Sequence, residues 1–144
     1  MSKIIGFNNA IFWTDDTGIL YCEFNNDDPN FKLELNNVEL YIKAITTLCD
    51  GNAMPFLIDL KGTRGTFSVS AAKMLAQNPE IIKLRISESY VVNNLGMKLL
   101  LSFYKRLYDH VTPFAIFNDV ALAKKYALET KNNVHKTSEL QYQY

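Results

Sequence analysis

Met54-Pro55-Phe56-Leu57-Ile58-Asp59-Leu60 is the stretch on which the fold turns. Its apolar residues run on without the alternation of a half-exposed strand, and turn-forming Lys61-Gly62-Thr63-Arg64-Gly65-Thr66 follows. A short apolar run bounded in this way reads as a strand covered on both faces, which requires helices on either side of a sheet. On its N-terminal side, Val38, Tyr41, Ile42, Ile45, Leu48 and Cys49 recur at spacings of three and four, with Asn37 as expected N-cap, Glu39 in the first turn and Asp50-Gly51-Asn52 as terminator. That spacing is one apolar stripe of a helix. Further back, Ile11-Phe12-Trp13-Thr14 and Ile19-Leu20-Tyr21-Cys22-Glu23-Phe24 flank Asp15-Asp16-Thr17-Gly18, a β-hairpin signal, and residues 3–7 offer a preceding edge strand.

On the C-terminal side a second helix is expected from near Ser68, carrying Ala71, Ala72, Met74 and Leu75 and broken at Asn78-Pro79. A strand over Ile82 to Ser87, a long helix from Tyr90 to Tyr108, a strand over Phe114-Ala115-Ile116-Phe117 and a last helix capped by Asn118 or Asp119 complete the order. The expected fold is therefore α/β: an N-terminal β-hairpin, then alternating helices and strands, forming a mixed sheet that is mostly parallel after the hairpin and has helices packed on it. Residues 1–130 read as a single domain. Residues 131–144 read as a polar C-terminal tail, expected to be frayed or disordered, in which Tyr142 and Tyr144 could dock back on the body.

Composition narrows the function classes. The 144 residues are 48% hydrophobic, and 15 Lys plus Arg balance 15 Asp plus Glu. A chain of roughly 150 residues buries about two-thirds of its unfolded surface, so no metal or disulfide staple is needed. Zero net charge argues against nucleic acid as a partner, because that binding displaces counterions from a basic face. No apolar run nears the roughly 18 residues of a membrane span. The first eight residues lack the apolar core of a secretory signal, and Cys22 and Cys49 fall in different elements, so a reduced, cytoplasmic protein is expected.

The Phe-Trp hairpin with its Asp-Asp-Thr-Gly turn, and the apolar strand closing in Asp59-Leu60-Lys61-Gly62, resemble the small bacterial SpoIIAA-like proteins of the STAS-like group. Asn93-Asn94-Leu95-Gly96 and Pro113-Phe114-Ala115-Ile116-Phe117-Asn118-Asp119 carry the resemblance to about residue 130. In anti-sigma-factor antagonists of this group, a Ser or Thr within Asp-Ser-Ser-Gly or Asp-Ser-Thr-Gly at a helix N-terminus is phosphorylated. The resemblance thus implies a phosphoacceptor or anion site within Arg64, Thr66, Ser68 and Ser70. Here the stretch reads Thr66-Phe67-Ser68-Val69-Ser70-Ala71, without the aspartate or the glycine, and Ser68 also suits an ordinary N-cap.

Asp59, Lys61 and Thr63 stand at the carboxyl end of the expected central strand, where open α/β sheets bind ligands. Gly62 and Gly65 could let a ligand approach the backbone there, although Gly-Thr-Arg-Gly lacks the Gly-Lys-Ser/Thr ending of a phosphate loop. His110 and His135 have no partner at metal-ligand spacing, and Asp15-Asp16 and Asp27-Asp28 lie in turns, so neither a catalytic nor a metal site nor a cofactor is expected.

The long helix carries two apolar stripes. Val92, Leu95, Leu99 and Phe103 fall on one face, expected to meet the sheet. Met97, Leu101, Tyr104 and Tyr108 fall nearly opposite, rimmed by Lys98 and Lys105. The second stripe is either covered by a neighbouring element or open as an interface. The leading expectation is a non-enzymatic regulatory or scaffold protein that pairs with itself and with another protein through that stripe. A small-molecule or lipid-binding domain, with an apolar ligand between helix and sheet, and a phosphorylation-controlled anti-sigma-factor antagonist are the alternatives.

Overall fold

The computed structural model describes the backbone of residues 2–142 and the side chains of residues 2–134. In chain order the elements are β1 (Lys3–Gly6), β2 (Ala10–Thr14), β3 (Leu20–Asn26), β4 (Lys32–Leu33), α1 (Leu35–Cys49), β5 (Met54–Thr63), β6 (Thr66–Phe67), α2 (Val69–Gln77), α3 (Pro79–Leu84), β7 (Arg85–Val91), α4 (Leu95–Tyr108), β8 (Phe114–Phe117) and α5 (Val120–Tyr142). Six strands form one mixed sheet in the order β1-β2-β3-β5-β7-β8. The first three are antiparallel, and every pairing from β3 to β8 is parallel. The α/β architecture expected from the sequence is the one observed, with β4 and β6 adding a two-stranded ribbon beside it.

Local chemistry explains the elements. At the hairpin, the Asp15 carboxylate accepts from the Thr17 backbone N–H at 3.0 Å, and Gly18 takes φ +78°, which a side chain would oppose. The α1 cap is Glu34 rather than Asn37. Asn37 sits one turn in, and its side chain accepts from the Glu34 N–H at 3.3 Å, a capping box with an amide in the usual carboxylate position.

The sequence reading needs correction around residues 78–92. The strand expected over Ile82 to Ser87 is in part helix: Asn78 caps a short helix with Pro79 in its first turn, and β7 starts only at Arg85. Asn78 Oδ1 accepts from Glu80 and Ile81 N–H groups at 3.0 and 3.1 Å, and a proline in the first turn has no N–H to lose. β7 then runs to Val91, so Tyr90 and Val91 belong to the sheet and the long helix is shorter than expected.

The sheet alternates its side chains between two layers. Ile19, Tyr21, Leu57 and Val91 pack against Ala123 and Ala127 of α5. Phe12, Leu20, Cys22 and Phe56 point the other way, against α1, α2 and α3. Backbone helix continues past Lys131, the expected start of the tail, through Tyr142. The Lys131 ammonium donates to the Thr17 carbonyl at 2.8 Å and ties α5 to the hairpin turn. The side chains of Tyr142 and His135, and all of Tyr144, lie outside the described residues.

Candidate functional site

α4 does not lie flat on the sheet. It leans on α2, where Ala72 and Ala76 leave room for Tyr104 and Tyr108. Between α4 and the sheet remains an apolar chamber of about 140 Å³. Phe24, Phe56 and Ile58 form its sheet wall, Tyr41 its α1 wall, and Met97 and Leu101 its α4 wall. An apolar cavity of this volume is large enough to take a small aromatic molecule.

One end of the chamber is closed by buried charge. Arg85, Glu88, Lys105 and Asp109 are all nearly inaccessible to solvent. The Lys105 ammonium binds Oε1 of Glu88 and sits 2.6 Å from Oδ2 of Asp109. Arg85 lies 3.2 Å from the same Asp109 oxygen and 3.8 Å from Glu88. Its guanidinium also donates to the carbonyls of Leu75 and Ala76 at 2.9 and 3.3 Å, neutralising the C-terminal turn of α2. An extra residue at the start of β7 shifts the register against β5 and turns Arg85 onto the face of Glu88. Tyr90 donates to Glu88 at 2.7 Å, and Lys105 stands 5.1 Å above the Phe114 ring.

Two cations against two carboxylates leave the cluster neutral. Burial works to raise the Asp109 pKa. The Lys105 ammonium and the Thr112 and Val111 N–H groups outweigh it, so the carboxyl titrates below its ordinary value. Burial, reinforced by the nearby Glu88 charge, pushes the Tyr90 and Tyr104 hydroxyls upward, so both remain protonated donors. Every charged group has its partners within the protein. The cluster is therefore a clamp joining α2, β7 and α4, not a set of free acids and bases.

The sequence-predicted sites fare unevenly. Asp59, Lys61 and Thr63 belong to β5 itself, not to a loop beyond it. Asp59 alternates with Ile58 and Leu60 and so faces the α5 layer, where its carboxylate is 4.0 Å from Lys61. Thr63 and Thr66 do line the chamber. Arg64 is exposed, and its N–H donates to the Asn26 carbonyl at 3.0 Å. Ser68 caps α2, accepting from the Ala71 N–H at 3.0 Å, while Ser70 is exposed within the first turn. Gly65 is needed for the chain's own packing: a Cβ there would come within 2.4 Å of the Phe31 carbonyl oxygen. The paired aspartates serve turns, Asp28 for instance accepting from the Asn30 N–H at 2.9 Å.

The expected interface is inverted. Leu101 and Tyr104 are 3% and 7% exposed, and Met97 and Tyr108 are half-buried. Leu95, Leu99 and Phe103, expected to meet the sheet, are 68%, 60% and 56% exposed, and Leu107 continues their line. The cause is Lys105, read as a solvent-facing rim residue but buried at 2% against Glu88 and Asp109. Its salt bridges turn the Leu101–Tyr104–Lys105 face inward. The one sequence signal for this was the i,i+4 spacing of Lys105 and Asp109.

A family model described as "Domain of unknown function (DUF7793)" matches residues 12–131. No curated protein matches the sequence. Among solved structures, an uncharacterized protein from the DUF3478 family of Shewanella loihica PV-4, with a SpoIIAA-like fold, aligns over 88% of this chain and 92% of its own at a TM-score of 0.54 and 14% identity. At that identity the likeness shows the fold, and it is the SpoIIAA-like fold that the hairpin and the Asp59-Leu60-Lys61-Gly62 strand end had suggested. Among the described residues, no helix is long and apolar enough to cross a membrane.

Proposed function

The chain belongs to the DUF7793 family, and we propose that it is a non-enzymatic binding domain that takes up a small apolar molecule beneath α4. The observation that carries the reading is the chamber: apolar on nearly all sides, about 140 Å³, and roofed by a helix that touches α2 more than the sheet. A packed core at native density leaves few voids larger than a water molecule, so an opening of this kind calls for an occupant. The charged groups at its end are already paired, which favours binding over chemistry. A cytoplasmic setting is part of the proposal and is supported by Cys22 and Cys49, both buried and free.

Self-pairing through Met97, Leu101, Tyr104 and Tyr108 is the less favoured reading, because Leu101 and Tyr104 are buried and Met97 and Tyr108 half-buried. A phosphoswitch at Ser68 has no support beyond the resemblance, since its hydroxyl is engaged as an α2 cap.

Thermal denaturation with indole as the probe tests the reading. A ligand at a hundred times its Kd stabilises by about 2.7 kcal/mol, which raises Tm by several degrees in a chain of this size. Leu101→Phe, which fills the chamber from the α4 wall, should fold with an unchanged or raised Tm and lose the indole shift. An absent shift in the unaltered protein, together with native mass spectra free of any bound small molecule, would refute the proposal.

A further inference from the structure

The outward face of α4 is a second feature, independent of the chamber. Leu95, Leu99 and Phe103 form an exposed apolar ridge at i, i+4 and i+8 on a helix with no neighbour on that side among the described residues. α2 and α4 together contain no Asp or Glu, while Lys73, Lys98 and Arg106 are all exposed. In a chain with 15 acidic and 15 basic residues this is a local segregation of charge, not a reflection of composition.

From this geometry we infer that α4 docks the protein on an anionic lipid surface, its leucines and Phe103 entering the acyl boundary and Lys73, Lys98 and Arg106 meeting headgroup phosphates. A helix lying in the interface plane needs this combination of an apolar ridge and flanking cations whose stems reach up to the headgroups. Charge selects this occupant over a second copy of the chain. A second copy of this face would bring Lys73, Lys98 and Arg106 against an equally cationic surface, and like charges oppose association. The same helix would then face the bilayer with one side and roof the chamber with the other.

Sedimentation of the full chain with vesicles of equal parts phosphatidylglycerol and phosphatidylcholine, compared with phosphatidylcholine alone, tests the assignment. The protein should pellet with the anionic vesicles only, and rising salt should release it. Leu99→Ser with Phe103→Ser, and separately Lys98→Glu with Arg106→Glu, should each weaken binding by roughly tenfold or more. All four residues are exposed, so the variants fold. Leu122→Ser on α5 should bind as the unaltered chain does, and so should Leu101→Phe, which separates this inference from chamber occupancy. Failure to pellet with anionic vesicles at low salt, equal binding to neutral vesicles, or binding indifferent to the α4 variants would overturn it. So would a dimer in light scattering that the same variants dissociate, because the ridge would then belong to a second copy.

Discussion

The two faces of the central sheet are packed by opposite means. On one, α5 lies directly on β5, β7 and β8, with Ala123 and Ala127 admitting it close to Leu57 and Val91. Ser87 adds a 2.7 Å hydrogen bond to Thr130 at the far end. On the other, α4 stands away from the sheet and is held at its C-terminal end by the Arg85–Glu88–Lys105–Asp109 cluster and along its flank by α2. Dispersion and area fix α5, whereas ion pairs and one helix neighbour fix α4. The difference teaches where a small α/β domain can keep a hollow: beneath an element whose position is set at one end by directional bonds, so that the space under the rest need not be filled.

The largest expected effect comes from cutting that clamp. Lys105→Met removes one of two cations facing two buried carboxylates. An uncompensated buried charge costs about 3–5 kcal/mol, and with Arg85 still present the lower end is expected in urea denaturation. Adding Glu88→Gln should recover most of the loss, because Arg85 and Asp109 then form a balanced pair. If the double variant is as unstable as the single one, Lys105 contributes by its packing and not by its charge.

A matched pair of substitutions sharpens the contrast between the faces. Ala123→Leu pushes extra methylenes into the layer under α5 and should cost about 1–3 kcal/mol. Met97→Phe grows into the chamber, where room exists, and should cost less than about 1 kcal/mol. Equal losses at both positions would mean that the chamber closes in solution.

Much of this architecture was legible because its signals are local. The Asp15-Thr17-Gly18 turn, the apolar run from Met54 and the Phe114–Phe117 strand each announce themselves by residue type and spacing. Asn78-Pro79 is ambiguous by itself, because the same pair that breaks α2 also starts α3. The site was far less legible. Arg85, Glu88, Lys105 and Asp109 are charged residues that sequence alone assigns to water, and only the fold brings their partners together. Misplacing Lys105 then turned α4 over, so that its covered face was read as open and its open face as covered. The chamber has no sequence signature at all, since residues lining a void are the same types that would fill it.

The smallest effect expected is a pH dependence confined to the clamped side. Asp109 has its pKa depressed in the folded protein by Lys105 and two backbone N–H groups that outweigh its burial. A depressed carboxyl binds fewer protons folded than unfolded, so its stabilisation is complete above the unfolded value of about 3.9 and fades as pH falls through the folded one. Asp15 is depressed as well, held by Thr17 at the hairpin, so the whole chain retains an acid slope of its own. The contribution of Asp109 is therefore the difference between two curves. Asp109→Asn should be the less stable protein at neutral pH and converge on the unaltered one in acid. Hydrogen exchange localises the effect: as pH is lowered, amides of α4 should lose protection before those of the described part of α5, whose contacts are apolar. Simultaneous loss in both helices would mean that the two faces unfold as one unit, and that the ionic clamp does not set a separate threshold for α4.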